Sequence, residues 1–138
     1  MGQAVDADRL GELPESHRKA VLERLTQHLL EHGEDSADAA TSVDIILKII
    51  ELMTTNEQRE VTERFARSAN APQRLIQRLC CEHPYIAEPA LRCSPLIDAG
   101  FLDDIADELS DLHLQTVAER CDLSEDTVQF LINKGTPD

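Results

Sequence analysis

Apolar residues recur every three or four positions through most of this chain and nowhere alternate for long, the pattern of amphipathic helices and not of strands. Between Pro14 and Gly33 the stripe is Val21, Leu22, Leu25, Leu29 and Leu30. Proline suits the first turn of such a helix and glycine its C-terminal end. In the loop that follows, Ser36 and Asp38 are placed to accept from the free amides of the next helix. That helix, around Ser42 to Met53, carries Val43, Ile45, Ile46, Leu47, Ile49, Ile50, Leu52 and Met53 around most of its circumference, so it is expected to be buried on several sides, by its own fold or by a second copy. From Asn56 onward the stripes shorten, to Val61, Phe65 and Ala66, then Leu75, Ile76, Leu79 and Cys80. Pro84, Pro89 and Pro95 are each expected to break the chain locally. Further stripes run through Phe101, Leu102, Ile105, Ala106 and Leu109, through Leu114, Val117, Ala118 and Cys121, and through Val128, Leu131 and Ile132. The prediction is an all-α chain.

At about 100–200 residues per domain, 138 residues make one unit or a short array of small repeats. With 41% apolar but only 3% aromatic residues, the core must be aliphatic. Thirteen basic against 27 acidic residues give a net charge of −14, which repels phosphate backbones and argues against direct nucleic-acid binding. No apolar run approaches the roughly 18 residues that span a bilayer. The N-terminal stretch has neither a basic nor an apolar signal region, and Asp6 stands where a myristoylation signal wants Ser or Thr. A cytoplasmic location without membrane contact is the expectation.

Setting Ala66, Leu91 and Ala118 under one another aligns three segments, ARSANAPQRLIQRL, LRCSPLIDAGFLDDI and AERCDLSEDTVQFLI. The sixth position is then Ala71, Leu96 and Leu123, and the eleventh Ile76, Phe101 and Val128. Each segment reads as a helix end, a polar or proline corner and a second amphipathic helix. A period of about 20 to 50 residues is the mark of a solenoid, whose units shelter one another's apolar faces. The expected architecture is a short α-α superhelix, HEAT-like, over residues 56–135, packed as one domain with an N-terminal helical pair over 14–55 and preceded by a flexible 1–13.

The corners at Ala71-Pro72 and Ser94-Pro95-Leu96, and the step from Ala118 and Arg120 to Leu123-Ser124, carry a resemblance. From about Glu57 to Gly135 the chain is similar to a bacterial, mainly alphaproteobacterial, family known as domain of unknown function two-three-three-six. The resemblance implies α-helical repeats and no established catalytic residues.

Several constellations carry possible chemistry. Cys80, Cys81 and His83, with Cys93, His113 and Cys121 further on, supply enough soft ligands for a zinc site on paper, yet there is no C-x-x-C spacing. Cys80 and Cys121 sit on apolar stripes, where free cysteine acts as a small hydrophobe. His83 precedes Pro84 at a helix end, where histidine favours terminal carbonyls. A thiol or metal enzyme built on Cys80, Cys81 and His83 is therefore the alternative, and no metal or other cofactor is expected. Gly-rich phosphate loops are absent. Asp103, Asp104, Asp107 and Glu108 stand at i, i+1, i+4 and i+5 of one expected helix, as a solvated face or a docking patch for a basic partner.

Charge is unevenly spread. Residues 1–58 carry net −7, 59–92 carry net +2 and 93–138 carry net −9. All six basic residues of the middle block are arginines, Arg59, Arg64, Arg67, Arg74, Arg78 and Arg92. They either pair with Glu60, Glu63, Glu82 and Glu88 along the solenoid or form a site for an anionic partner. The expectation is a non-enzymatic interaction or regulatory adaptor. It would bind another protein, or itself as a homodimer, through Arg64, Arg67, Arg74, Arg78, Arg92, Asp103, Asp104, Asp107 and Glu108. The acidic stretch 98–126 also permits a decoy role toward a nucleic-acid-binding protein.

Overall fold

In the computed structural model, residues 12–33, 37–120 and 122–135 are described. They form eight α-helices and no strand: α1 (Glu15–His32), α2 (Ala39–Ile50), α3 (Thr55–Ala66), α4 (Gln73–Cys80), α5 (Pro84–Cys93), α6 (Ala99–Asp104), α7 (Asp111–Ala118) and α8 (Glu125–Gly135). The expected flexible 1–13 lies mostly outside the described residues, and Leu13, within them, packs against the core. Ser36 and Cys121 also lie outside them.

Most helices begin where a side chain or a proline relieves the free amides of the first turn. Thr54 and Glu57 close a reciprocal capping box on α3, with the Glu57 amide donating to Thr54 Oγ1 at 3.2 Å and the Thr54 amide to Glu57 Oε1 at 3.0 Å. Asp98 accepts from the Phe101 amide at 2.8 Å to open α6, and Ser124 accepts from the Thr127 amide at 3.1 Å to open α8. Before α7, Ser110 and His113 close a second box, the Ser110 amide donating to His113 Nδ1 at 3.0 Å. That bond leaves the proton of the buried imidazole on Nε2, which donates to the Glu82 carbonyl at 2.7 Å and ties α7 to the corner between α4 and α5. Gly33 ends α1 at φ 66°, a left-handed conformation, and a side chain there would meet the Asn70 carbonyl at 3.2 Å.

Helix α3 packs on α5 and α5 on α7, α2 on α4 and α6 on α8, while α1 on α2, α3 and α5 on α4, and α7 on α8 join the two sets. Ion pairs from Lys19 to Glu57 and from Arg64 to Glu23 bring α1 beside α3. The result is a two-layered helical stack whose packing is that of a short superhelix.

Its buried positions recur at one interval. Helices α4, α6 and α8 begin at Gln73, Ala99 and Glu125, two steps of 26 residues. Phe65, Leu91 and Val117, also 26 apart, are all fully buried, and so nearly are Leu75, Phe101 and Thr127. The alignment on Ala66, Leu91 and Ala118 is thus one residue out in its first and third segments, where Phe65 and Val117 are the true equivalents of Leu91. Ala118 is exposed. Val128, the equivalent of the fully buried Ile76 and Leu102, is 40% exposed because no described helix follows α8.

Three other expectations need correction. The helix expected to reach Met53 stops at Ile50. Its Val43, Ile45, Ile46, Ile49 and Ile50 are buried within the chain itself, so α2 keeps no wide apolar face for a second copy. Pro89 does not break the chain but sits inside α5. The carbonyl of Tyr85, four residues earlier, loses its helical donor there and receives Arg59 Nη1 from α3 at 2.6 Å instead. Finally, α6 ends at Asp104, and Ala106–Glu108 form a separate 3-10 turn. The four acidic residues therefore do not share one helix, and the break separates the pairs that would repel at i, i+4.

Candidate interaction groove

The arginine band resolves into a ladder of ion pairs with two exceptions. On the odd layer Arg64 donates to both oxygens of Glu23, at 2.7 and 3.0 Å. Arg59 lies 4.6 Å above the Tyr85 ring and pairs with Glu88 at 2.7 Å and Glu63 at 3.5 Å. Arg92 bridges Glu88 at 3.0 Å and Glu119 at 2.8 Å. These contacts step from α1 through α3 and α5 to α7. Guanidinium hydrogen bonds from Arg59 and Arg92 hold the Glu88 carboxyl below the usual carboxylate range, and those of Arg64 do the same for Glu23.

On the even layer Arg74 pairs with Asp44 at 2.8 Å, while Arg78 is exposed on α4 near Cys81. The expected partners Glu63 and Glu88 are used, but Glu60 and Glu82 are replaced by Glu23, Asp44 and Glu119. Arg67, which closes α3, has no partner among the described residues, and neither does Glu60.

The outer face of the odd layer carries three shallow pockets, one in each furrow between neighbouring helices. Between α1 and α3 it holds about 460 Å³ over a floor of Leu22, Met53 and Val61, with Glu60 at the rim. Between α3 and α5 it holds about 470 Å³, lined by Arg59, Arg67, Pro89, Arg92 and Cys93. Between α5 and α7 it holds about 270 Å³, flanked by Tyr85 and Leu112. Glu63 is common to the first two pockets, and Glu88 and Arg92 to the last two. Tyr85 and Leu112 are 45% and 61% exposed, among the few large apolar side chains so placed.

Asp103, Asp104, Asp107 and Glu108 are exposed on the other side of the sequence's charge boundary. Asp103 lines a cleft of about 450 Å³ between α6 and α8 with Asp126 and Lys134. Glu108 Oε2 accepts from Cys81 Sγ at 3.7 Å. Burial and that carboxylate push the Cys81 thiol up to about 11, and burial pushes Cys80 higher still. His83 caps α5, its Nδ1 accepting from the Tyr85 amide at 3.1 Å, the reverse of the carbonyl contact expected for it. No group of three His, Cys, Asp or Glu able to hold a metal occurs among the described residues.

Arg120 is a residue whose role the sequence conceals. It is 8% exposed and donates to the carbonyls of Leu91 and Ser94, both at 2.8 Å, while Asp122 accepts from its Nε and Nη2 at 2.9 and 3.1 Å. Pro95 leaves the Leu91 carbonyl without a helical donor, and the Ser94 carbonyl accepts from the Ile97 amide at 3.4 Å as well. Nothing in the sequence near Arg120 signals a target 26 to 29 residues upstream.

No family model, curated protein or solved structure matches the chain. No helix among the described residues is long and apolar enough to cross a membrane.

Proposed function

We propose that this chain is a non-enzymatic helical-repeat adaptor of the bacterial cytoplasm, akin to the family it resembles, and that it binds a segment of another protein in the odd-layer trough. The observation that carries this reading is the trough itself. Its pockets lie in the furrows between four helices, exposed Tyr85 and Leu112 offer apolar contact, and Glu60 and Arg67 are unpaired where every other charge on α3 is paired. Extended surfaces of stacked helices suit protein segments, and unspent charge of both signs gives orientation as well as attraction. The thiols favour this over the chemistry of Cys80, Cys81 and His83. Both vicinal sulfurs keep their protons, and His83 Nδ1 is taken by a backbone amide.

The test is affinity capture from the native host with the wild-type chain, a trough variant carrying Arg67→Glu and Leu112→Asp, and an even-layer control, Lys48→Glu. Helicity is checked by circular dichroism. A partner recovered by wild type and control but lost by the trough variant is the expected result. Equal recovery by all three overturns the reading.

A further inference from the structure

The last tier of the stack exposes an apolar side that the earlier tiers keep covered. Val128 on α8 is 40% exposed, while Leu102 and Ile76, one and two repeat steps earlier, are fully buried. One turn on, Ile132 is 56% exposed, against half-buried Ala106 and fully buried Cys80 at the same steps. Asp126, Gln129 and Asn133 line the cleft toward α6, and at about 3.6 residues per turn Val128 and Ile132 fall on the opposite side of α8. The end unit of a helical stack ordinarily turns a polar face outward; here two aliphatic side chains stand there. Helix α8 itself lies on α6, so what completes the next tier is a helix laid on α8 in the same way.

We infer that this side of α8 seats a basic amphipathic helix of another protein, whose apolar stripe covers Val128 and Ile132 while its lysines or arginines meet the acids of the last tier. The surface lies apart from the odd-layer pockets and does not depend on their binding anything. Charge selects the occupant. Residues 93–138 carry net −9 and 1–58 net −7, so a second copy laid here by either of its ends would set acid against acid. The positive block, 59–92, has most of its guanidiniums in ion pairs. Within the last tier Arg120 is buried and held by Asp122, and Lys134 lines the cleft on the α6 side. Glu125, exposed one turn before Val128 on the same side of α8, is therefore the charge that borders the apolar strip. A basic helix is attracted by this field where a neutral or acidic one is not.

The probe is a synthetic leucine-lysine peptide of about 14 residues, four turns of one amphipathic helix, beside an analogue with glutamate for every lysine. Each is titrated into the isotope-labelled full chain and followed by amide chemical shifts. The lysine peptide is expected to shift the amides of α8, and the glutamate analogue to leave them unmoved. Val128→Ser with Ile132→Ser, which removes apolar area without altering charge, is expected to weaken binding about tenfold. Glu125→Lys is expected to weaken it too, while Leu112→Ser, in the odd-layer furrow, leaves it unchanged. Circular dichroism checks that each variant keeps its helicity. No binding, shifts that spare α8, or an affinity indifferent to both the serine pair and Glu125→Lys overturns the inference. So does light scattering that finds a dimer which the serine pair returns to monomer, because a second copy then occupies the face. The adaptor reading is tested through Arg67 and Leu112 and survives each of these outcomes, so the two fail separately.

Discussion

Arg59 donates to the carbonyl of Tyr85 at 2.6 Å, the acceptor that Pro89 strips of its helical amide. A residue of α3 thereby completes a turn of α5 that α5 cannot complete itself. Replacing Arg59 with Ala is expected to cost about 0.5–1.5 kcal/mol, the net worth of one hydrogen bond at an exposed carbonyl. In a Pro89→Ala background, where residue 89 regains its N–H, the same change is expected to cost clearly less. A double-mutant cycle by urea unfolding measures the difference, and strict additivity refutes the link.

Arg120 serves α5 from the other neighbour, α7. Arg120→Ala strands the Leu91 carbonyl, leaves Ser94 only its longer bond from the Ile97 amide, and should lower stability by about 1–3 kcal/mol. Asp122→Asn removes only the exposed counter-charge and should cost much less. Equal losses would mean that the ion pair, and not the capping of α5, is what matters.

Equivalent positions in successive layers predict unequal costs. Truncating the fully buried Ile76 or Leu102 to Ala is expected to destabilise by about 2–5 kcal/mol. Val128→Ala, at the same register but exposed, should change stability by no more than about 0.5 kcal/mol. A large loss at Val128 would show that another surface covers it in solution.

Stability should fall in acid. Glu57, Glu88 and Asp122 all have carboxyls held below their ordinary values, by the Thr54 amide and Lys19, by Arg59 and Arg92, and by Arg120 in turn. A group whose folded value is depressed contributes stability above its unfolded value, near about 4, and loses it as pH falls through the folded value. Urea midpoints should therefore be flat above about pH 5 and drop below about pH 4. A midpoint that rises over the same interval contradicts the assignment.

Thiol labelling separates the cysteines. At pH 8 a thiol at about 11 is ionised to roughly one part in a thousand, so Cys81 should react slowly, and Cys80 should not react until the chain unfolds. Glu108→Gln removes the carboxylate that holds the Cys81 proton and should quicken its labelling, as followed by mass spectrometry. An unchanged rate disproves that contact.

Seven of the eight helices, the aliphatic core and the corners were readable because each follows from local spacing: Leu75, Ile76, Leu79 and Cys80 can share a face in only one way, whereas the prolines hid α5. What escaped was whatever depends on a neighbour distant in sequence. The α6 break at Ile105, the tolerance of Pro89 and the use of Arg120 each turn on a partner 26 or more residues away or on repulsion that the chain resolves by bending. The repeat register slipped by one residue because Ala66 and Ala118 look as apolar as Phe65 and Val117; burial tells the exposed Ala118 from Val117, but Ala66 is buried beside Phe65, and only the 26-residue spacing of the helices tells that pair apart. For the arginines, sequence supplied the sign of the band but not its pairing, so the unpaired Arg67 and Arg78 were invisible among the paired ones.

A constant 26-residue step makes the corners the places where shape is tuned. Lengthening one of them by a residue would leave each layer's interior intact yet rotate everything beyond it. Curvature could then drift while the core stayed the same, and the trough would open or narrow by rigid turning of whole tiers.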